Sequence, residues 1–145
     1  MNAKTADVIV VGSGPGGEGA AMQLAKSGCK VQLVERYEKV GGGCTHWGTI
    51  PSKALRFAIY QLTEALNHPL MRACGVSVNF TMADLKSRTE SIIGQQEGLR
   101  RRFFNRNDVE VIHGEARFVD GKTMLIDGDR KLQADAVVLA TGSRP

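Results

Sequence analysis

Val8-Ile9-Val10-Val11-Gly12-Ser13-Gly14-Pro15-Gly16-Gly17 decides the fold. A β-branched run passes directly into a glycine-rich turn. The apolar stretch from Ala6 to Val11 has no polar face, so it reads as a strand buried in a parallel sheet. The glycines at 12, 14 and 17 satisfy G-x-G-x-x-G. In that pattern Gly12 permits the tight turn, Gly14 brings backbone close to a pyrophosphate, and Gly17 lets the next helix lie against the strand. The helix is expected from Gly14 or Pro15 to about Ser27. Its apolar face is Ala20, Ala21, Leu24 and Ala25, and Gly28 is its stop. Its first turn offers free N–H groups and a partial positive charge to phosphates. Lys30 to Glu35 then reads as a second strand, completing a βαβ unit with a right-handed crossover. Glu35 falls 18 residues past Gly17. A carboxylate there accepts hydrogen bonds from both hydroxyls of an adenosine ribose and repels a 2′-phosphate. A dinucleotide site follows, although the motif alone does not separate a flavin dinucleotide from a nicotinamide one.

Residues 36–50 read as a long glycine-rich connection. Pro51 sits where a first helical turn tolerates a missing N–H. The helix it opens is expected to reach about Asn67, with Leu55, Ile59, Leu62 and Leu66 on one stripe, and His68-Pro69 breaks it. Thr81 and Asp84 form a capping pair for a second long helix ending near Arg106. Its stripe is Leu85, Ile92, Gln96, Leu99 and Phe103. Beyond Val109 the period becomes that of strands: Val109 to His113, Ala116 to Val119, Thr123 to Ile126 and Ala136 to Ala140. Asp120-Gly121 and Asp127-Gly128 are the turn dipeptides among them. The chain reads as α/β throughout.

The 145 residues are 42% hydrophobic and 23% charged, which suits one globular domain or part of one. A formal net charge of +4 is compatible with nucleic acid or with an anionic small ligand. Arg100, Arg101, Arg102 and Arg106 supply four of the positive charges, but on a helix they fan around the axis. We read them as a solvated helix end and expect no nucleic-acid partner. Three cysteines, Cys29, Cys44 and Cys74, imply no disulfide framework and fit a reducing compartment. The first apolar run is too short for a signal-peptide core, and no run approaches membrane-spanning length. A cytoplasmic location, no membrane partner and no metal are the expectations.

Gly12 to Gly17, Glu35, the segment Gly41 to Lys53, and Thr141-Gly142 together carry a resemblance that covers nearly the whole chain. They resemble the N-terminal FAD-binding part of the two-dinucleotide flavoprotein reductases, the pyridine nucleotide-disulfide oxidoreductases. The resemblance implies a Rossmann-like FAD-binding domain with a parallel sheet and an added β-hairpin or meander. In that family a C-x4-C pair sits against the flavin ring, and its disulfide takes electrons from reduced flavin. The matching positions here are Cys44 and Thr49. A threonine hydroxyl forms no disulfide. The wording from Glu35-Arg36-Tyr37 through Gly41-Gly42-Gly43-Cys44-Thr45-His46-Trp47-Gly48-Thr49-Ile50-Pro51-Ser52-Lys53 is similar to members that exchange hydride between nicotinamide nucleotides. NADPH and NAD+ are therefore the implied substrates, interconverted with NADP+ and NADH through bound FAD. A related flavoprotein reductase or oxidase with another acceptor, or a non-catalytic FAD-binding module, are the alternatives.

The resemblance also implies roles. Gly12, Gly14 and Gly17 would hold the FAD pyrophosphate and Glu35 its adenosine ribose. Arg36, Tyr37, Glu38, Lys39, Val40, Gly41, Gly42 and Gly43 would wrap the adenosine and ribityl side. Cys44 would pack beside the ring without redox turnover, Lys53 would approach flavin N5, and Gly142 would touch the flavin from the end of the last strand. An exposed lysine in a helical first turn is the plain alternative for Lys53, and a structural histidine is the expectation for His46. Trp47 reads equally as core or as a stacking surface. His113-Gly114-Glu115-Ala116 matches the segment whose backbone meets the adenine. The sequence halts where the family's nicotinamide domain begins. That domain, the segment completing the FAD domain and the dimerisation domain are expected elsewhere in a longer, homo-oligomeric enzyme.

Overall fold

The computed structural model describes residues 5–75, 77 and 79–143. Arg144 and Pro145 of the terminal segment lie outside them. β1 (Val8–Val11), α1 (Pro15–Lys26) and β2 (Val31–Glu35) form the expected βαβ unit. β1 and β2 pair in parallel, Val8 opposite Val31 through Val11 opposite Val34. β3 (Glu110–His113) adds in parallel beyond β2, and β7 (Ala136–Leu139) adds in parallel on the far side of β1. The sheet order is thus β3-β2-β1-β7. Ala116–Asp120, Thr123–Ile126 and Arg130–Gln133 are β4, β5 and β6, an antiparallel meander that forms a second sheet.

The period-2 rule of strands sorts the core into two layers. On one face of the parallel sheet Val8, Val10, Val31 and Leu33 pack with Ala21 of α1 and with Phe104. On the other face Ile9, Val34 and Ile112 pack with Met124, Ile126 and Leu132 of the meander. The parallel sheet is therefore covered on both sides, which is why β1 and β2 carry no polar alternation.

Between β2 and β3 run α2 (Gly42–His46), α3 (Thr49–Asn67), α4 (Pro69–Ala73) and α5 (Met82–Arg106). Thr81 caps α5 as expected: its hydroxyl accepts the Asp84 N–H at 3.2 Å, and the Asp84 carboxylate accepts the Thr81 N–H at 2.8 Å. Several sequence expectations shift. The glycine-rich connection contains the helix α2, and His68-Pro69 starts the short helix α4 as well as ending α3. The buried face of α3 is Ala54 and Ala58, while Ile59 and Leu66 are exposed. The deepest side chain of α5 is Phe104, with Phe103 only partly buried. β6 was not expected at all. The Asp127-Gly128 turn has both residues at positive φ, 51° and 86°, and Asp129 N–H closes it onto the Ile126 carbonyl at 3.2 Å. At Asp120-Gly121 neither residue is left-handed, and a register shift between Phe118 and Asp120 accommodates the turn instead.

Candidate functional site

The carboxyl ends of β1, β2 and β7 open into one cleft of about 1290 Å³. This is the edge at which open α/β sheets bind ligands. Its floor is the turn Gly12–Gly16 leading into α1, and Glu35, Arg36 and Tyr37 form one wall. Gly42, Gly43, Cys44, Trp47, Gly48 and Thr49 form a second stretch of the lining, which meets the first where Trp47 touches Tyr37. Gly114–Ala116 and Ala140–Ser143 close the remaining sides.

Close backbone packing shapes the floor. Gly12 has φ +104°, and a Cβ on Gly17 would fall inside the Gly12 carbonyl oxygen, so the start of α1 lies directly on the turn. A Cβ on Gly42 would stand 2.7 Å from the Gly14 Cα, so the two glycine segments lie in direct contact. Gly14 precedes α1 in extended conformation with no side-chain cap, and Pro15 follows at the first position. The first-turn N–H groups of α1 are thereby left to the cleft. A surface of this kind, bare backbone N–H groups with no side chain over them, suits a pyrophosphate.

Glu35 is buried at 5% exposure, and its carboxylate is held by three donors. Oε2 accepts from the Ser13 N–H at 2.9 Å and the Ser13 hydroxyl at 2.5 Å, and Oε1 accepts from the Tyr37 N–H at 3.1 Å. The following loop is anchored from several sides. Arg101 of α5 donates to the Glu38 carbonyl at 2.9 Å, and His113 Nδ1 lies 2.7 Å from the Tyr37 carbonyl. Gly41 N–H donates to the Ser13 hydroxyl at 2.8 Å. On its other side the Gly41 carbonyl accepts from the Thr45 hydroxyl at 2.9 Å, and His46 Nε2 lies 2.9 Å from the Val40 carbonyl. His46 is thus engaged by backbone, in keeping with a structural histidine. At the rim, Arg36 lies 4.8 Å over the Tyr37 ring, and Tyr37 meets Trp47 edge-on at 4.9 Å. Trp47 is 63% exposed, so it belongs to the cleft wall and not to the core.

Of the residues singled out from sequence, Gly12, Gly14, Glu35, Arg36, Tyr37, Gly42, Gly43, Cys44 and Gly142 line the cleft. Gly17 acts one layer below, through its contact with Gly12. Val40 and Gly41 are buried, Glu38, Lys39 and Lys53 are exposed, and none of the five lines the cleft. Only Cys44 of the three cysteines reaches the cleft, where it is half-buried, and all three are free. Cys29 packs against the helix-side core and Cys74 is exposed after α4. Thr49, the first residue of α3, lines the same wall as Cys44. Ser13 was missed by sequence reasoning. It occupies a variable position of the glycine motif, and no local pattern signals partners 22 and 28 residues away.

Fold and cleft together define a dinucleotide-binding α/β unit. Residues 6–145 match the family described as pyridine nucleotide-disulphide oxidoreductase, and the chain belongs to that family. Among curated relatives, the soluble pyridine nucleotide transhydrogenases of Erwinia tasmaniensis and Yersinia pestis are each 48% identical over 143 residues. Those alignments cover 96% of this chain and 31% of each relative, so the chain spans about a third of their length. Among solved structures, the HOCl-induced flavoprotein disulfide reductase RclA from Escherichia coli superposes with a TM-score of 0.76 over 96% of this chain and 28% of that one. At 21% identity that likeness establishes the fold. Among the described residues no helix is long and apolar enough to cross a membrane.

Proposed function

We propose that this chain is the N-terminal part of the FAD-binding domain of an enzyme that transfers hydride between NADPH and NAD+. The net reaction is NADPH + NAD+ giving NADP+ + NADH, with each pyridine ring gaining or losing one hydride. Bound FAD supplies the two-electron carrier between the nucleotides. The chain's own residues do the binding. The N–H groups opening α1 and the bare backbone at Gly14 and Gly42 would receive the pyrophosphate, and Glu35 the adenosine ribose. Tyr37 and Trp47 would flank the adenosine and ribityl side, and Gly142 would close the cleft from β7. Lys53 follows Thr49 by about one helical turn and is assigned as the cation favouring the reduced ring, reached by its flexible stem. The remaining length, corresponding to the rest of the relatives, would carry the nicotinamide and dimerisation domains of a cytoplasmic homo-oligomer.

One observation carries this reading beyond the family. Thr49 and Cys44 both line the cleft, and Thr49 holds the sequence position, five after Cys44, that would carry the second cysteine of the family's pair. A hydroxyl at Thr49 accepts no electron pair, so a second nicotinamide nucleotide is the natural acceptor. Soluble transhydrogenases, 48% identical here, bear that activity in their names. The test is to supply the full-length protein with NADPH and a spectroscopically distinct NAD+ analogue. Stoichiometric analogue reduction with ping-pong kinetics is expected, one nicotinamide site serving both nucleotides in turn. NADPH oxidation that consumes oxygen or reduces a disulfide substrate, with the analogue untouched, would overturn the proposal.

A further inference from the structure

We propose that Ser13 is a positioning residue that fixes which oxygen of Glu35 is presented to the ligand, and so sets selectivity for the ribose hydroxyls. This rests on reading the cleft as an FAD site. Ser13 is fully buried at 0% exposure, inside the glycine turn, and touches two other segments. Its hydroxyl donates to Glu35 Oε2 at 2.5 Å while accepting the Gly41 N–H at 2.8 Å. Its own N–H donates to the same Oε2 at 2.9 Å. An ionised carboxylate accepts about four hydrogen bonds, two per oxygen. Ser13 fills both places on Oε2. Tyr37 N–H takes one on Oε1 at 3.1 Å. A single lone pair, on Oε1, is left for a ligand, so Glu35 has room to accept one ribose hydroxyl and not the two expected from sequence.

This occupancy changes what Glu35 does. A carboxylate free to rotate would offer either oxygen to either hydroxyl. Clamped by Ser13, it offers one acceptor in one direction, and that geometry is what a charge-assisted hydrogen bond rewards. The Gly41 N–H on the same hydroxyl orients the Ser13 proton towards Glu35, because the acceptor side of the oxygen is already engaged. Gly41 is in turn held from α2 through the Thr45 hydroxyl. The Ser13 hydroxyl therefore joins the glycine turn, the ribose carboxylate and the loop leading to Cys44.

The test compares two ligands on the full-length apoprotein: FAD, and its analogue lacking both hydroxyls of the adenosine ribose. A hydrogen bond to a charged group predicts that the native protein prefers FAD by about tenfold or more. In Ser13→Ala that ratio is expected to fall at least about threefold, beyond any loss shared by both ligands. In a Glu35→Gln background the same substitution is expected to leave the ratio unchanged, because the route through the carboxylate is already gone. An equal weakening of both ligands with the ratio intact would show that the hydroxyl only packs the loop, and would overturn the proposal. Should Ser13→Ala not accumulate as folded protein, Ser13→Cys keeps a similar volume with a poor donor, and the same ratio decides. If the native protein binds neither ligand, the FAD reading fails first and the Ser13 proposal with it. Native binding of FAD with no discrimination between the two ligands overturns the Ser13 proposal alone.

Discussion

Gln32 and Glu110 stand opposite each other in the parallel register of β2 and β3. Gln32 is buried at 4% exposure and donates from Nε2 to Glu110 Oε2 at 2.7 Å. Its Oε1 has no hydrogen-bond partner among the described residues. The Gln32 amide is the main reason the Glu110 carboxyl lies below the ordinary glutamate range; Arg130, 3.0 Å away on β6, adds to it, and burial opposes both. Replacing Glu110 with Ala leaves Gln32 with both amide atoms buried and unpaired. That is expected to cost about 1–3 kcal/mol, read as a shift in urea midpoint. Replacing Arg130 removes only a half-exposed ion pair and is expected to cost no more than about 1 kcal/mol. The pH dependence follows from the direction of the shift. A carboxyl lowered in the folded state contributes stability that is complete above its unfolded value and is lost as pH falls through the folded one. Glu110→Gln should therefore flatten the acid side of a stability–pH curve, and an unchanged curve would refute the Gln32 contact.

Helix α3 is built to lie close on α5, and the residues that allow it are its smallest. Ala54 and Ala58 are buried, whereas Phe57, Ile59 and Tyr60 are exposed at 56%, 44% and 57%. Ala58→Leu should thus force the two helices apart at a cost of about 1–3 kcal/mol. Ile59→Ala should have a much smaller effect, and chemical denaturation of the two variants distinguishes the faces. The same feature explains a misreading. Hydrophobic periodicity weights large apolar side chains, so Leu55, Ile59, Leu62 and Leu66 looked like the buried stripe. Alanine contributes little to that signal, although it decides the packing. Arg130-Lys131-Leu132-Gln133 likewise holds one apolar residue, too few to announce β6, whose register is set by pairing with β5. Elements with local signals were legible. The Thr81–Asp84 box needs only a spacing of three residues, and the glycine turn of β1–α1 carries its own steric reason. Ser13 was illegible because its hydroxyl acquires meaning only when Glu35 and Gly41 are folded onto it.

At the scale of the molecule, the parallel sheet carries helices on one face and the meander on the other, and this leaves its carboxyl edge as the place where a dinucleotide fits. The three cysteines distribute over that architecture in a way that bears on electron storage. Cys44 lines the cleft, Cys29 packs into the helix-side core behind α1, and Cys74 is exposed beyond α4. A disulfide requires Cα atoms within about 7 Å, and the residue at the sequence position of a partner for Cys44, five further on, is Thr49. We expect one two-electron store per FAD in the loaded protein, because among the described residues no second sulfur joins Cys44 at the cleft. Anaerobic titration of the full-length, FAD-loaded protein with dithionite should bleach the flavin with one electron pair per FAD, and the count of titratable thiols should stay constant through the end point. Uptake of a second pair, with two new thiols appearing, would mean that some sulfur from the remaining length reaches Cys44. The reading of Thr49 as the residue that commits the enzyme to nucleotide-to-nucleotide transfer would then be wrong, even if the fold and the FAD site stood.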